Sequence, residues 1–325
     1  MGRKYLSNSG EIGRIEGEKS LRKDACCGKI ERSQKNGKGA FCMNRYCDLH
    51  THSTYSDGTY TPAQIIDQAV ETGLSTVALC DHNTIAGLPE FHAAAEGKPI
   101  EAVGGIELST EYLDKDLHIV GLYIRPEHYG GITAMMEDTN RRKMECNRRL
   151  VDVLRSNGYD MDYDEMCSQH PSGQINRAHI AAVLTEKGYT ESIKKAFSTL
   201  LSEENGYYVP PKRITALDAI AYLKSIGVAA ILAHPFFDLT EEELDVFLPR
   251  AKEAGLAGME TLYSTFDRKE RELAARIAAR YDLLPSGGSD FHGLNKPDIQ
   301  LGRGKGDLFV PESFAESIRK TKKCR

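Results

Sequence analysis

From Met43 onward, short apolar runs alternate with helical patterns, and most of those runs end on a histidine or a carboxylate. "YCDLHTHS" (46–53), "STVALCDH" (75–82), "IEAVGGIELS" (100–109), "DLHIVGLYI" (116–124), "VAAILAHP" (228–235), "LAGMETLY" (256–263) and "LLPSGGSDFHG" (283–293) read as strands. Helical patterns separate most of them, the first with Thr61 as N-cap, Pro62 as first helical residue and Gly73 as the stop. Strands alternating with helices predict an α/β fold with a mainly parallel sheet, closed or nearly closed into a barrel. Such a sheet gathers ligands at the carboxyl ends of its strands, where these polar residues fall.

Residues 132–227 break the rhythm. They read as helical, near 134–156, 178–187, 191–202 and 214–226, with no convincing strand, and so as an insertion or cap. The expected organisation is a disordered basic extension (1–42), a first barrel part (43–131), the helical insertion (132–227) and a second barrel part (228–325).

Charge narrows the substrate. Residues 1–42 hold ten Lys/Arg and five Asp/Glu, a net of +5; the whole chain carries −5, leaving −10 on residues 43–325. An acidic body is a poor binder of long nucleic-acid duplexes, whose affinity comes from neutralised phosphates. No apolar run approaches the ~20 residues that span a bilayer, and no apolar leader opens the chain; a cytoplasmic protein is expected, with no membrane partner. The eight cysteines, four of them at 26, 27, 42 and 47, fit no common zinc spacing and read as reduced thiols.

Six of the ten histidines, His50, His52, His82, His118, His234 and His292, sit in or at the ends of predicted strands, with Asp57, Glu107 and Asp290 close by. One such histidine is usually a packed core residue; six with carboxylates predict a metal cluster. Residues i and i+2 of a strand share a face, so His50 and His52 project together. Asp48 behind them is then placed to hold a histidine tautomer. Asp57-Gly58 is a turn that can swing the carboxylate over the strand end. Mixed imidazole and carboxylate donors suit Mn, Fe or Zn. Nine candidates are too many for one ion, so two or three divalent ions are expected, with Glu107 able to bridge, in the manner of two-metal phosphoester chemistry.

With "DLHTHSTYSDG", "LCDHNT", "GGIELS", the histidine of "DLHIVG", "LAHP" and "GGSDFHG" in this order, the chain resembles the PHP (polymerase and histidinol phosphatase) family of metal-dependent phosphoesterases, over roughly 46–125 and 228–305. The resemblance implies a distorted (β/α)7 barrel. It implies His50, His52, Asp57, His82, Glu107, His118, His234, Asp290 and His292 as metal ligands, with Asp81 supporting them. The nearest subgroup is similar to stand-alone, tryptophan-operon-linked phosphoesterases acting on nucleotide 3′,5′-bisphosphates, on 5′-monophosphates such as AMP, or on short RNA 5′ ends. Its Arg-x-His motif matches "NRAHIA", which places Arg177 and His179 at the substrate phosphate. The fork of Arg177 suits phosphate oxygens, and His179 opens a helix whose N-terminus favours an anion. His179 is also the expected proton donor to the leaving group.

The resulting expectation is a phosphomonoesterase on a small nucleotide, using metal-activated hydroxide. The alternatives are a 5′-3′ exonuclease on short oligonucleotides, aided by basic residues Arg141, Arg142, Lys143, Arg148 and Arg149, and a histidinol-phosphate phosphatase. Glu260 is left without a role, Asn83 and Thr84 are read as a helix cap, Tyr207 and Tyr208 as packing, and His92, His128 and His170 as surface residues.

Overall fold

The computed structural model describes residues 45–170, 175–204, 207–210 and 213–321. The stretch 1–42 and Cys324 lie outside them; Cys47, Cys80, Cys146 and Cys167 are free thiols. Among the described residues no helix is long and apolar enough to cross a membrane.

The first half runs β1 (Tyr46–Thr51), α1 (Pro62–Thr72), β2 (Thr76–Leu79), α2 (Leu88–Ala95), β3 (Glu101–Tyr112) and β4 (Lys115–Leu122). Then come α3 (Tyr129–Ser156), α4 (Tyr163–Ser168), α5 (Arg177–Glu186) and α6 (Ile193–Ser198). The barrel resumes with β5 (Ile214–Thr215), α7 (Ala216–Ser225), β6 (Ala229–Leu232), α8 (Glu241–Ala254), β7 (Gly258–Tyr263), α9 (Arg268–Arg280), β8 (Leu284–Gly288), β9 (Val310–Pro311) and α10 (Glu312–Lys320). The sheet order is β8-β7-β6-β4-β3-β2-β1-β9, with β5 added to β3. Its ends meet: the Asp290 N–H donates to the His50 carbonyl (2.8 Å) and the His52 N–H to the Phe291 carbonyl (2.9 Å). The result is a nearly closed α/β barrel.

Local chemistry sets the elements as expected at α1. Thr61 caps it reciprocally with Gln64, Pro62 occupies the first turn, and Gly73 ends it at φ 78°. Alternation sorts the strands. Ala78, Cys80, Val103, Val120, Leu122, Ala229 and Ile231 form one apolar cluster, into which Ala315 and Ile318 of α10 pack. Their neighbours Val77, Leu79, Ile119, Ala230 and Leu232 join a larger cluster built with the helices. Glu107 and His118 fall on the first alternation, two strand steps beyond Val103 and one before Val120.

Four sequence expectations change. β4 is antiparallel to both β3 and β6, because β3 and β4 are joined by a tight turn with Leu113 at φ 48° and Asp114 at φ 62°. Two positive φ values in succession make the hairpin turn that a crossover helix would replace. β3 does not end at Ser109 but runs on to Tyr112. Asn83 and Thr84 do not cap α2, whose N-cap is Gly87; Asn83 sits at φ 54° and exchanges hydrogen bonds with Ser109. The span 132–227 does contain a strand: β5 pairs in parallel with Thr110–Glu111 of β3. The separate apolar cluster of the helical region spans Leu150 to Tyr208, whereas Ile132 and Met136 of α3, and α7, pack into the barrel's cluster.

Candidate metal centre

Glu107 is the hub. The buried carboxylate has five imidazoles around it. Its Oε2 faces His50 Nε2 (3.3 Å), His52 Nε2 (3.2 Å) and His82 Nδ1 (3.1 Å); its Oε1 faces His118 Nδ1 (2.8 Å) and His234 Nε2 (3.0 Å). Topology explains how they meet. His50, His52, His82 and His234 lie at the carboxyl ends of parallel strands or just after them. His118 lies near the start of β4, and because β4 is reversed, its start is at the same end of the barrel.

Two further carboxylates flank this hub. Asp57 faces His292 Nε2 (3.2 Å), His82 Nε2 (3.7 Å) and His52 Nδ1 (3.9 Å). It gets there because the Gly58 N–H turns back onto the Ser53 carbonyl, and a Cβ at Gly58 would collide with the His52 carbonyl. Asp290 Oδ1 faces His52 Nε2 (3.2 Å) and His50 Nε2 (3.8 Å). The nine predicted residues are therefore brought together. Within them, His52, Asp57, His82 and His292 form one group with mutually close donor atoms, His50, His52 and Glu107 a second, and His82, Glu107 and His118 a third.

These donor sets suit divalent ions on their own chemistry. His50 Nε2, both nitrogens of His52, His82 Nδ1, His234 Nδ1 and Glu107 Oε2 are buried without a hydrogen-bond partner among the described residues. Buried polar groups are otherwise almost always paired, and so many orphans facing one another fit cations between them. Burial alone would raise the pKa of Glu107, but His82, His118 and His50 outweigh it and hold it well below the usual range. Asp57 is lowered likewise, against burial, by His292 and His82. Burial works to lower His52, but Asp290 and Glu107 raise it to about 9. Burial drives His82 well below its ordinary value.

One role read from the sequence is corrected. Asp48 does not hold a histidine ring. The β1–β2 register slips between Asp48 and Thr51, as at a bulge, and the Asp48 carboxylate accepts from the backbone N–H groups of His50, Ser289 and Gly302 and from the Ser289 hydroxyl. The carboxylate on the His50 ring is Glu260, 2.9 Å from Nδ1, whose other oxygen accepts the His234 N–H (2.7 Å). A glutamate within the apolar run "LAGMETLY" was the sequence signal for it. Asp81 supports the site through the loop: it accepts from the Ser53 N–H and from the hydroxyls of Ser53 and Ser56, the segment that carries Asp57.

His179 takes part in the cap of α5. Its Nδ1 accepts the Asn176 N–H in the capping box of α5, and its ring stacks on His170 at 4.0 Å. Burial and His170 bring its pKa down to about 4. Asp57, Lys143 and the Ser56 backbone also act on the ring, so it stands near the cluster as well as in the cap, and its stacking partner His170 is half-buried rather than a bare surface residue.

Beside Asp57, His82 and His118 opens a cavity of about 220 Å³, also lined by Lys143, Arg177, Arg213, Asp116, Phe197 and Tyr208. Arg177, at the first position of α5, lies over the Tyr208 ring at 4.0 Å. Tyr208 is thus buried as a shelf beneath Arg177, in line with packing. Arg213 pairs with Asp116, whereas Lys143 and Arg177 have no carboxylate ion-pair partner among the described residues. Nothing in the sequence pointed to Arg213, since it reaches the cavity only through the return of the chain to β3. The neighbouring Arg141, Arg142 and Arg148 are spent on Asp138, Glu145 and Asp164.

A nearly closed α/β barrel with histidine–carboxylate clusters at its strand ends defines a class of metal-dependent hydrolase, and comparison with known proteins agrees. The PHP domain model matches residues 48–219, and the chain belongs to the PHP domain family. It is 32% identical over 251 residues to a 5′-3′ exoribonuclease of Haemophilus influenzae, covering 77% of this chain and 91% of that protein. It is 29% identical to a 3′,5′-nucleoside bisphosphate phosphatase of Chromobacterium violaceum, covering 78% and 90%. A solved structure from Bifidobacterium adolescentis, described as a metal-dependent phosphoesterase, superposes with a TM-score of 0.76 at 30% identity, covering 85% of this chain and 96% of that one. The chain is accordingly a metal-dependent phosphoesterase.

Proposed function

We propose that this enzyme removes a phosphate from a small nucleotide, a nucleoside 3′,5′-bisphosphate or an AMP-like monophosphate. The observation that carries this reading is the small cavity against the histidine–carboxylate cluster, with Lys143 and Arg177 lacking carboxylate partners and Arg213 beside them. Half-buried cations without counter-charges favour an anionic ligand.

On this reading His50, His52, Asp57, His82, Glu107, His118, His234, Asp290 and His292 hold two or three divalent ions, Mn, Fe or Zn. Such ions supply Lewis-acid charge neutralisation and a nucleophile at neutral pH. The protein's own residues do the rest. Glu260 orients the His50 ring, and Asp81 holds the loop that presents Asp57. Arg177, braced on Tyr208, grips phosphate oxygens with its fork, and Lys143 adds a point charge for the second phosphate of a bisphosphate.

The second reading, a 5′-3′ exonuclease on short oligonucleotides, draws on the name of the Haemophilus influenzae relative. Arg141, Arg142 and Arg148 pair with acidic neighbours, which leaves Arg149 and Lys143 of that basic group without a carboxylate partner among the described residues. Histidinol phosphate fits worse, since its basic groups would meet Lys143, Arg177 and Arg213.

The test is phosphate release by Mn²⁺-loaded protein from adenosine 3′,5′-bisphosphate and AMP, compared with mononucleotide release from a 5′-phosphorylated oligomer. The bisphosphate should be turned over best, and Arg177→Ala should lose on the order of 10²-fold in kcat/KM with its metal content intact. A metal-loaded protein that turns over no nucleotide would sink the proposal.

A further inference from the structure

The two oxygens of Asp290 live in different surroundings. Oδ1 points at His52 Nε2 and His50 Nε2, both unpartnered. Oδ2 points away and is held twice, by the Tyr263 hydroxyl (2.5 Å) and the Lys296 ammonium (2.6 Å). Tyr263 comes from the end of β7, and Lys296 from the loop after β8, six residues beyond Asp290. Asp290 has a φ of 54°, a left-handed backbone that few non-glycine residues adopt, though aspartate more readily than most, and its N–H is tied to the His50 carbonyl. Backbone and side chain are thus both constrained to one orientation.

We infer that Lys296 and Tyr263 are positioning residues that keep Asp290 Oδ2 away from the metal and so hold this carboxylate to single-oxygen coordination. The inference rests on the reading of Asp290 as a ligand. A carboxylate left to itself can bind an ion through one oxygen or two. Two strong donors on Oδ2, one of them cationic, hold that oxygen off the ion, and a coordination position that a second oxygen would fill stays open for water or a substrate oxygen. Neither residue belongs to the His/Asp/Glu pattern. In a metal site, partners that orient the ligands influence function nearly as much as the ligands themselves.

The experiment uses the full-length protein with Co²⁺ in place of the native ion, because visible absorption of Co²⁺ reports coordination number and geometry. Lys296→Met, Lys296→Arg and Tyr263→Phe are compared with the parent protein. Lys296→Met should shift and weaken the Co²⁺ bands, as a second oxygen joins the ion, and lower kcat about tenfold with little change in KM. Lys296→Arg, which keeps a cationic donor, should return the parent spectrum, and Tyr263→Phe should show a smaller shift of the same sense. Folded Lys296→Met and Tyr263→Phe proteins with the parent spectrum overturn the inference. A parent protein that takes up no Co²⁺ overturns the ligand assignment itself, and failure on nucleotide substrates leaves the spectra to be read on their own.

Discussion

The barrel and the helical region contribute to this site in opposite ways. The barrel supplies histidines and carboxylates, buried and fixed by backbone hydrogen bonds between neighbouring strands. Glu107 lies deep in β3 and touches five imidazoles. The helical region supplies cations from side chains that are only half-buried: Lys143 from the flank of α3 and Arg177 from the first turn of α5, with Arg213 just ahead of β5. The barrel thus concentrates donors suited to cations, and the helical region concentrates charge suited to an anion. A phosphate between them would bridge the two.

The largest effect expected is on the barrel side. Glu107→Gln removes the charge that the cluster shares and should cost more than the ~10–100-fold typical of outer partners of a metal site, with metal content falling in parallel by elemental analysis. Loss of activity at full metal content would instead make Glu107 part of the chemistry. On the cap side, Lys143→Met should leave metal content unchanged and raise KM for the bisphosphate about tenfold, or 1.4 kcal/mol, with a smaller effect on AMP. Equal effects on both substrates would take Lys143 away from the second anionic group.

The pH dependence of the metal-free protein gives a gentler test. Burial opposes the protonation of His52, but Asp290 and Glu107 raise its pKa from 6.5 to about 9 in the folded state. A pKa raised on folding means stability present below 6.5 and lost as pH climbs through about 9. His50 is raised in the same direction, against burial, by Glu107 and Glu260. The melting temperature of chelated protein should therefore decline between pH 6.5 and 9, and a flat profile there would contradict the charge state assigned to the cluster. The smallest effect is expected at Arg148, whose partner Asp164 is exposed. Arg148→Ala should change neither melting temperature nor turnover of mononucleotides, and a marked loss on oligonucleotides alone would revive the exonuclease reading.

The barrel was legible because its information is periodic. A residue at a strand end can be placed from the apolar run before it, and that sufficed for His50, His82 and His234. What escaped was set by reversals and by backbone hydrogen bonds. His118 was named from its strand, but its route to the site, a two-residue turn that flips β4, was not legible; Asp48 misses the histidine rings because backbone N–H groups and Ser289 hold its carboxylate. Glu260 sat within an apolar run, yet a lone glutamate there is as often solvated. Arg213, Tyr263 and Lys296 depend on contacts across the fold that no local spacing encodes. In the cap, "NRAHIA" marked a helix start correctly, but the division of labour within it, Arg177 toward the cavity and His179 into the cap and its stack, depends on which face of α5 is buried.

The overhang of β3 joins the two regions mechanically. Five residues beyond Glu107, the strand is still paired, first with β4 and then, at Thr110 and Glu111, with the segment that brings the chain back from the helices. One continuous rod therefore carries the central carboxylate at one level and the anchor of the cap at the next. Insertions in the helical region can lengthen or reshape the roof over the site, and so retune which molecules enter, provided they leave that short splice of hydrogen bonds intact.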